Sequence, residues 1–347
     1  MIDLDSRIAR VARRGLLFGV MGAAGLAATG GAAVAAGHGP AKRRLRVLVA
    51  TNEPWGTYHV KPLLAEAERR GIQLTQLVPD LSQIKPDDPV PVATPDTAPP
   101  ADLIVVTGAG DWPADAATRV CRLPLAASSL AYLNPTEAPR AAELRRRLQS
   151  ITSSSPAEMR AFASYLGTRR RIRIVGSAQT DDLPARDPQP DTVLVLTSVT
   201  HPDQTGSAAP GTQLLLDAAA RLQAAGKRII VGLHPRENPA LWDRYEISDA
   251  PSVQASARAE AAIGIPGTVF PLVVAVGTPV IGCLDPGLAV PDYLLSVCSA
   301  TIATADQAPV AVGEARLPDQ SVLADAVGPV GGSAGRLLDA WRRAAHR

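Results

Sequence analysis

Aromatic side chains are scarce in this chain of 347 residues, at 3% of the composition against 46% for hydrophobic residues as a whole. The interior of the folded protein is therefore predicted to be mainly aliphatic. The sequence also lacks a stretch in which aromatic and basic residues alternate, which is how many proteins stack and hold single-stranded nucleic acid. That class of binding surface is excluded.

A surplus of positive charge is also missing from most of the chain. Residues 1–46 hold eight Lys and Arg against two Asp and Glu, whereas the remaining residues hold 27 against 31. The net charge of +2 therefore comes from the N-terminal segment, and the rest of the chain is near neutral or slightly acidic. Because basic surface dominates affinity for phosphate backbones, we expect no nucleic-acid partner.

Cysteine is rare, and the three present have no metal-ligand spacing. An odd number in so long a chain is not a disulfide framework. We interpret Cys121, Cys283 and Cys298 as small buried hydrophobic residues, with one disulfide left open if the protein is exported. No metal site is expected.

The N-terminus has the form of an export signal. Four arginines precede an uncharged run over residues 15–37: Arg7, Arg10, Arg13 and Arg14. Residues 33–35 (Ala-Val-Ala) have the small-x-small form that a signal peptidase needs. The stretch 12–17 resembles a twin-arginine signal, although no Ser or Thr precedes the arginines. Residues 1–36 are therefore predicted to be a signal peptide.

Two other interpretations of this segment stay open. An uncleaved helix of 23 uncharged residues is long enough to span a bilayer and would anchor the protein in the cytoplasmic membrane, although its six glycines between Gly15 and Gly31 disfavour insertion. The run could also be a plain apolar leader. A lipoprotein anchor is excluded because no Cys follows the run.

The rest of the chain is long enough for two domains and alternates short aliphatic runs with amphipathic ones. Such alternation predicts an α/β fold of two Rossmann-like domains with parallel sheets, facing each other across a cleft. The Pro-rich and acidic composition of residues 181–191 is typical of a linker. The domains are accordingly placed at 43–180 and 192–347.

Individual elements follow from periodicity, helix caps and turn residues. In the first half we expect strands at 45–50, 72–78, 103–106 and 172–175, with helices at 60–70, 114–120, 138–148 and from 153–156 to 169–171. In the second half we expect strands at 193–196, 228–231, 245–247, 261–265 and 279–281, with helices at 213–225, 268–276 and 335–345.

Ligands of open parallel sheets bind beyond the carboxyl ends of the strands, so the loops that follow the strands are the places for chemistry. The first such loop, 51–59, offers Glu53, although a surface turn with a helix cap would explain its composition equally. The second loop, 197–206, offers the hydroxyls of Ser198 and Thr200 before a helix, which suits a phosphate. It is not a P-loop because the Gly-Lys-Ser/Thr ending is absent.

The third loop carries a family resemblance. Leu233-His234-Pro235 follows a strand, Tyr-Glu-Ile-Ser follows at 245–248, and Gly-Ile-Pro-Gly-Thr-Val follows at 264–269. This order resembles the C-terminal half of bacterial capsule polysialyltransferases and CDP-glycerol glycerophosphotransferases, which have the GT-B architecture. The resemblance covers residues 190–300.

The resemblance implies a metal-independent transferase of envelope polysaccharide synthesis, with a nucleotide sugar or CDP-polyol as donor, an envelope glycan as acceptor and no further cofactor. It also implies that His234 contacts the donor phosphate and aids its departure, while Thr268 and Gly267 bind the same phosphate at a helix start. Arg236 would add a positive contact. An imidazolium and a helix N-terminus both stabilise charge on a leaving phosphate.

The sequence departs from that pattern in two places. The family has paired hydroxyls where this chain has Gly267 and Thr268, and the acidic-acidic-glycine motif of the acceptor-activating acid is absent from the first half. Glu53 and Asp111 are candidates for that acid by position alone. His234 as a structural loop residue and Thr268 as a plain helix cap are the competing interpretations.

Three functions therefore remain open. The first is the transferase, which an uncleaved anchor facing the cytoplasm would favour because nucleotide sugars are cytoplasmic. The second is an exported, non-catalytic protein that binds an envelope glycan or small ligand in the same cleft. The third, a nucleotide-sugar epimerase, needs several acidic and basic groups that the sequence does not assemble.

Overall fold

The computed structural model describes residues 44–130, 136–198, 210–235 and 237–346. The targeting segment predicted at 1–36 lies outside the described residues, as do two of the predicted phosphate contacts, Thr200 and Arg236. Within the described ranges, no helix is both long enough and apolar enough to cross a membrane.

The first lobe is built on a parallel sheet, of which the described residues form seven strands. These are β1 (Leu45–Ala50), β2 (Ile72–Leu77), β3 (Val92–Ala93), β4 (Leu103–Val106), β5 (Leu125–Ser128), β6 (Leu148–Ser153) and β7 (Arg173–Ile174). They lie in the order β3-β2-β1-β4-β5-β6-β7. All six neighbouring pairs are parallel.

Short helices connect these strands. They are α1 (Leu64–Arg69), α2 (Asp111–Arg119), α3 (Ala141–Arg145) and α4 (Pro156–Tyr165), with 3₁₀ turns at Thr57–His59, Lys61–Leu63 and Ala178–Thr180. Ser155 caps α4, since its Oγ accepts a hydrogen bond of 3.1 Å from the backbone N–H of Glu158. Pro156 follows at the first helical position, where a missing N–H costs nothing.

The second lobe repeats the plan with six parallel strands among the residues described. They are β8 (Thr192–Leu196), β9 (Arg228–Gly232), β10 (Glu246–Ile247), β11 (Ala261–Gly264), β12 (Val280–Cys283) and β13 (Cys298–Ile302), in the order β10-β9-β8-β11-β12-β13. The helices are α5 (Thr212–Ala224), α6 (Ser252–Ser256), α7 (Val269–Val276), α8 (Asp292–Leu295), α9 (Ala308–Gly313), α10 (Gln320–Val327) and α11 (Ser333–Ala345), with 3₁₀ turns at Pro239–Trp242 and Ala305–Gln307.

Both sheets are covered on each face by aliphatic cores, as the scarcity of aromatics predicts. Strand β1 is buried at five of its six positions, which parallel strands between two helix layers require. The cysteines correct one expectation. Cys283 is buried and Cys298 half-buried, but Cys121 is exposed, and all three are free thiols.

The C-terminal helix α11 packs on the first sheet, although its sequence position assigns it to the second domain. Its indole at Trp341 is buried in the core beneath β1 and β4, and donates to Ser128 Oγ at 2.9 Å. Asp181 accepts hydrogen bonds from the first two amides of the helix, at Ser333 and Ala334 (2.7 and 2.8 Å). The chain therefore crosses back to the first lobe at its end.

The sequence pattern predicts β1 and β4 residue for residue, but the helix that it predicts at 138–148 is too long. There α3 is a single short helix, and Leu148 opens β6. This strand pairs with β5 in parallel, and the hydroxyls of the facing residues Ser128 and Thr152 are hydrogen-bonded at 2.7 Å. Pairs of this kind arise from contacts between strands, which a local hydrophobic pattern does not register.

Candidate functional site

The strand order of each sheet reverses at one point: between β1 and β4 in the first lobe, and between β8 and β11 in the second. Loops that follow the strands at such a reversal form the crevice in which open α/β sheets bind ligands. In this protein those loops begin at residues 51 and 107 in the first lobe, and at 197 and 265 in the second. The candidate site is built from them.

Asn52 is fixed at the first reversal by three groups. Its backbone N–H donates to Thr107 Oγ1 at 2.8 Å, and its side-chain oxygen accepts from the hydroxyl of Tyr165 at 3.1 Å. Gly108 passes so close that a Cβ there would lie 2.2 Å from the same oxygen. The loops after β1 and β4 are therefore packed against each other at this glycine.

The turn after Asn52 is held from below by Gln76, which is fully buried on β2. Its amide nitrogen donates to Thr51 Oγ1 at 3.0 Å and to the carbonyl of Pro54 at 3.2 Å. Thr51 Oγ1 in turn donates to the carbonyl of Glu53 at 2.5 Å. Gln76 thereby positions the loop that carries Glu53.

Two of the predicted catalytic residues are joined through a tyrosine. The hydroxyl of Tyr58 donates to Glu53 Oε2. The ring of Tyr58 lies edge-on to the ring of His234, with centroids 5.6 Å apart and an interplanar angle of 82°. Since Glu53 belongs to the first lobe and His234 to the second, this contact bridges the cleft.

The backbone around His234 is fixed to the neighbouring strand. Its N–H donates to Thr197 Oγ1 at 2.8 Å, and its carbonyl accepts from the N–H of Glu237 at 2.9 Å. Glu237 is buried, and its Oε1 accepts from the indole of the buried Trp242 at 3.4 Å. The imidazole itself is half-buried at the cleft.

The other predicted phosphate contacts lie at the same edge of the second sheet. His234 follows β9 and Thr268 follows β11, while Ser198 follows β8, which lies between those two strands. Thr268 immediately precedes α7, and its side chain forms no cap bond to the helix. Gly267 has free space, since a Cβ there would meet only the carbonyl of Ile265, at 3.8 Å.

Asp111 has a different environment from Glu53. It is the first residue of α2 and is exposed. Its backbone carbonyl accepts a bond of 3.4 Å from Arg140, whose guanidinium also pairs with Asp115 and Glu143. Asp111 is thus an acid in the first turn of a helix, where the helix dipole stabilises negative charge.

A pocket of about 60 Å³ opens between the lobes and contains an acid that sequence reasoning missed. It is lined by His59, Ser129 and Glu158 from the first lobe and by Thr268 and Tyr293 from the second. Burial raises the pKa of Glu158 to about 8, against the smaller opposing effect of a hydrogen bond with Ser129. Glu158 is therefore poised to be protonated near neutral pH.

The sequence does contain a signal for Glu158. Ser155-Pro156-Ala157-Glu158 has the S-x-x-E form of a capping box, and it correctly marks the start of α4. A capping acid is expected to be exposed at a helix end, so the motif alone gave no reason to assign it chemistry. Only the packing of α4 toward the second lobe turns this side chain into a pocket wall.

Metal-ligating side chains do not cluster in the part of the chain that the structure describes. No group of three or more His, Cys, Asp or Glu residues there is placed to hold an ion.

No protein-family model matches the sequence, and no curated protein matches it. Solved structures match its fold. The wall teichoic acid polymerase TagF, in a structure with CDPG, gives a TM-score of 0.58 at 9% identity, over 87% of this chain and 89% of that one. MurG of Acinetobacter baumannii gives a TM-score of 0.52 at 14% identity, over 86% of this chain and 99% of that one.

A third match is the S. aureus MnaA structure with UDP, with a TM-score of 0.53 at 12% identity, over 85% of this chain and 95% of that one. Identities this low establish the fold alone. The described residues form the two facing Rossmann-like lobes of the GT-B fold, as expected from the alternation of strands and helices.

Proposed function

We propose that the protein is a GT-B transferase that moves a sugar or a polyol phosphate from a nucleotide-activated donor to a cell-envelope polymer, without a metal ion. The second lobe binds the donor and the first lobe presents the acceptor. The observation that carries this proposal is the contact across the cleft, in which Tyr58, bonded to Glu53, lies against His234.

The donor side of the reaction follows from the second sheet. Transfer breaks the bond between the transferred group and the nucleotide phosphate, so negative charge grows on that phosphate. His234 stabilises this charge as an imidazolium, and the N-terminus of α7 does so with the hydroxyl of Thr268 and the backbone at Gly267. Ser198 lies between them, and Thr200 and Arg236 are assigned to the same phosphate.

The acceptor side follows from the first sheet. The acceptor oxygen forms a bond to the transferred group as the phosphate leaves, and its proton passes to a carboxylate. Glu53 is the better of the two predicted acids, because Tyr58 and the Gln76 contacts hold it at the cleft while Asp111 is exposed.

Two further features support a nucleotide donor. The motifs Leu233-His234-Pro235 and 264–269 resemble those of polysialyltransferases and CDP-glycerol glycerophosphotransferases. Two structures with the same fold contain CDPG and UDP respectively. The motifs lie in the second lobe, where the proposal puts the donor.

The direct test is binding of UDP, CDP and CMP, measured by calorimetry with the wild-type protein and the His234→Ala variant. We expect at least one nucleotide to bind and the variant to lose about tenfold or more in affinity, since one charge-assisted contact is removed. His346→Ala, an exposed histidine at the end of α11, is the control. Absence of binding by all three nucleotides, or equal affinity in wild type and His234→Ala, would contradict the proposal.

A second function, an exported non-catalytic protein that binds an envelope glycan, has two observations in its favour. Gly267 stands where a second hydroxyl is expected, and Asp111 is exposed. This candidate predicts binding of glycan fragments without any nucleotide affinity. Adding glycan fragments to the same calorimetric series therefore separates the two functions.

Location is part of the proposal, because export would separate a transferase from cytoplasmic donors. We assign residues 1–36 to a twin-arginine-type signal or an uncleaved anchor. Comparing a C-terminally tagged wild type with Arg13→Lys/Arg14→Lys distinguishes these. A shortened product outside the membrane that the double variant loses favours export and the glycan binder, whereas a full-length membrane product in both favours the transferase.

A further inference from the structure

The pocket between the lobes has room for more than a bound water. Its volume of about 60 Å³ exceeds the roughly 10–15 Å³ that one water needs. It lies where α4 and the 3₁₀ turn Thr57–His59 of the first lobe approach α7 and α8 of the second. A group of a few heavy atoms would fit there.

The polar side of this pocket is held in place by bonded hydroxyls. Ser129 Oγ donates to Ser153 Oγ at 2.9 Å, and the Ser129 N–H donates to the carbonyl of Thr152 at 3.0 Å. Glu158 shares a hydrogen bond with Ser129. Because Ser129 is fixed by the sheet, the carboxyl of Glu158 has a defined position at the wall.

Glu158 is not committed to capping its own helix. In the 3₁₀ turn at Ala305–Gln307 the capping box is complete, since the Gln307 side chain accepts the N–H of Thr304 at 3.1 Å. In α4 the Ser155 half of the box is formed, but the carboxyl of Glu158 bonds instead to Ser129, just beyond the neighbouring strand β5. It is therefore available to a ligand in the pocket.

The chemistry of the lining selects among ligands. No Lys or Arg occurs among the described residues that line the pocket, so a phosphate would find no fixed positive charge there. The hydroxyls of Ser154 and Thr268 and the amide of Gln179 offer both donors and acceptors, while Ser129 Oγ, whose proton goes to Ser153, offers an acceptor. Leu130 and Leu272 supply an apolar wall, so the surface suits a molecule with hydroxyl edges and C–H faces.

We propose that this pocket binds the hydroxyl groups of an uncharged polyol or sugar unit, with Glu158, Ser129 and Thr268 as hydrogen-bond partners. Resting on the proposed function, this unit is the end of the acceptor. Thr268 would then be shared between the acceptor and the donor phosphate. The raised pKa of Glu158 agrees with this assignment, because a neutral carboxyl both donates to and accepts from hydroxyls.

The probe for this site is glycerol, with 1-propanol as a molecule of similar size that has one hydroxyl instead of three. Methyl-labelled full-length protein is titrated with each, and the signals of Leu130, Leu272 and Ala178 report on the pocket. We expect saturable shifts with glycerol, with an affinity on the order of millimolar, and at least about tenfold weaker binding of 1-propanol. Equal affinity for the two would overturn the proposal, because it would mean simple filling of a cavity.

Variants at one position separate the acid's role from its volume. Glu158→Leu should weaken glycerol binding about tenfold or more, whereas Glu158→Gln, which keeps a donor and an acceptor, should stay within about threefold of wild type. Glu143→Leu is the matched control, because Glu143 is also the third residue of its helix and is exposed. Unchanged binding in Glu158→Leu would exclude Glu158 from the site.

Nucleotide binding measured on the same samples keeps the two proposals apart. Glycerol binding without any nucleotide affinity would leave the pocket in place and remove the transferase. Nucleotide affinity without glycerol binding would support the transferase and overturn the polyol site.

Discussion

The two lobes share one topology, yet they carry chemistry in different ways. In the second lobe the candidate residues belong to short motifs directly after strands, and the backbone at His234 is tied to Thr197 on the adjacent strand end. In the first lobe Glu53 and Glu158 belong to no extended motif and reach the cleft through Tyr58 and α4. Under the proposed function this difference has a reason: a lobe that binds a constant nucleotide can use local motifs, whereas a lobe that faces a variable acceptor is shaped by tertiary packing.

The largest expected effect tests the second lobe, which we call the motif-bearing lobe because its candidate residues lie in short motifs. His234→Ala should reduce transfer by about 10²–10³-fold, as loss of one group that stabilises developing charge does in other enzymes. The backbone hydrogen bonds of residue 234 to Thr197 and Glu237 are kept in this variant, so we expect it to fold. Transfer is assayed with the donor nucleotide that binds best.

His346→Ala, the exposed histidine on α11, provides the baseline for that assay. If Glu53→Gln abolishes transfer while His234→Ala does not, the comparison between the lobes would be inverted.

The next effect tests how the lobes are joined. Gly328, at the end of α10, has φ +71°, and a Cβ there would lie 2.3 Å from the carbonyl oxygen of Ser154 at the end of β6. Gly328→Ala should therefore lower the free energy of unfolding by about 3 kcal/mol, through backbone strain and a clash with rigid backbone. Urea denaturation measures this.

Gly313→Ala is the matched control, because no heavy atom lies within 4 Å of its added Cβ and the residue ends α9. It should stay within about 1 kcal/mol of wild type, on the stabilising side. A similarly mild effect for Gly328→Ala would mean that α10 and β6 are not in firm contact.

The sequence predicts the strands of the second lobe more completely than those of the first, although it misses α6, α8, α9 and α10. Strands β8, β9 and β11 and helices α5 and α7 are each predicted to within about one residue at most ends, because aliphatic runs alternate there with capped helices. In the first lobe β5 and β6 are missed, since their Ser and Thr residues bond across the sheet. The place of α11 is also missed, because contacts such as that of Trp341 with Ser128, 213 residues away in the sequence, leave no local pattern.

The residues of the candidate site also differ in whether the sequence predicts them. His234 and Thr268 are nominated by a motif, and Glu53 by its position after a strand. Glu158 and Ser129 are not nominated, because nothing local distinguishes an exposed capping acid from one that the other lobe covers. The roles of the nominated residues stay predictions until the variants are measured.

A smaller effect tests the buried acid. With a pKa near 8 in the folded protein, against about 4.5 unfolded, Glu158 holds a proton that the unfolded chain has already released. Between these values the folded state binds more protons, so stability falls as pH rises through the window and is fully retained below it. The wild type should lose on the order of 2 kcal/mol relative to Glu158→Gln between pH 5 and 8.

Denaturation curves of the two proteins at several pH values give this difference, since ionisable groups away from the pocket contribute equally to both. Parallel pH dependences in wild type and variant would show that the carboxyl is solvated like a surface acid. The first lobe would then have no buried acid at the cleft to distinguish it from the second lobe.

The smallest expected effect restores a missing group in the second lobe. Gly267 has no positive φ requirement and only one neighbour, the carbonyl of Ile265 at 3.8 Å from an added Cβ, so Gly267→Ser should fold normally. If α7 holds the donor phosphate, the added hydroxyl should strengthen nucleotide binding about two- to fivefold, within the range of one hydrogen bond in partial contact with water. The Gly267→Ala variant adds a carbon without the hydroxyl, so it separates the effect of the hydroxyl from that of the added carbon. A gain seen equally in both variants, or in neither, would mean that this helix start does not contact the donor, and the motif-bearing lobe would then rest on His234 alone.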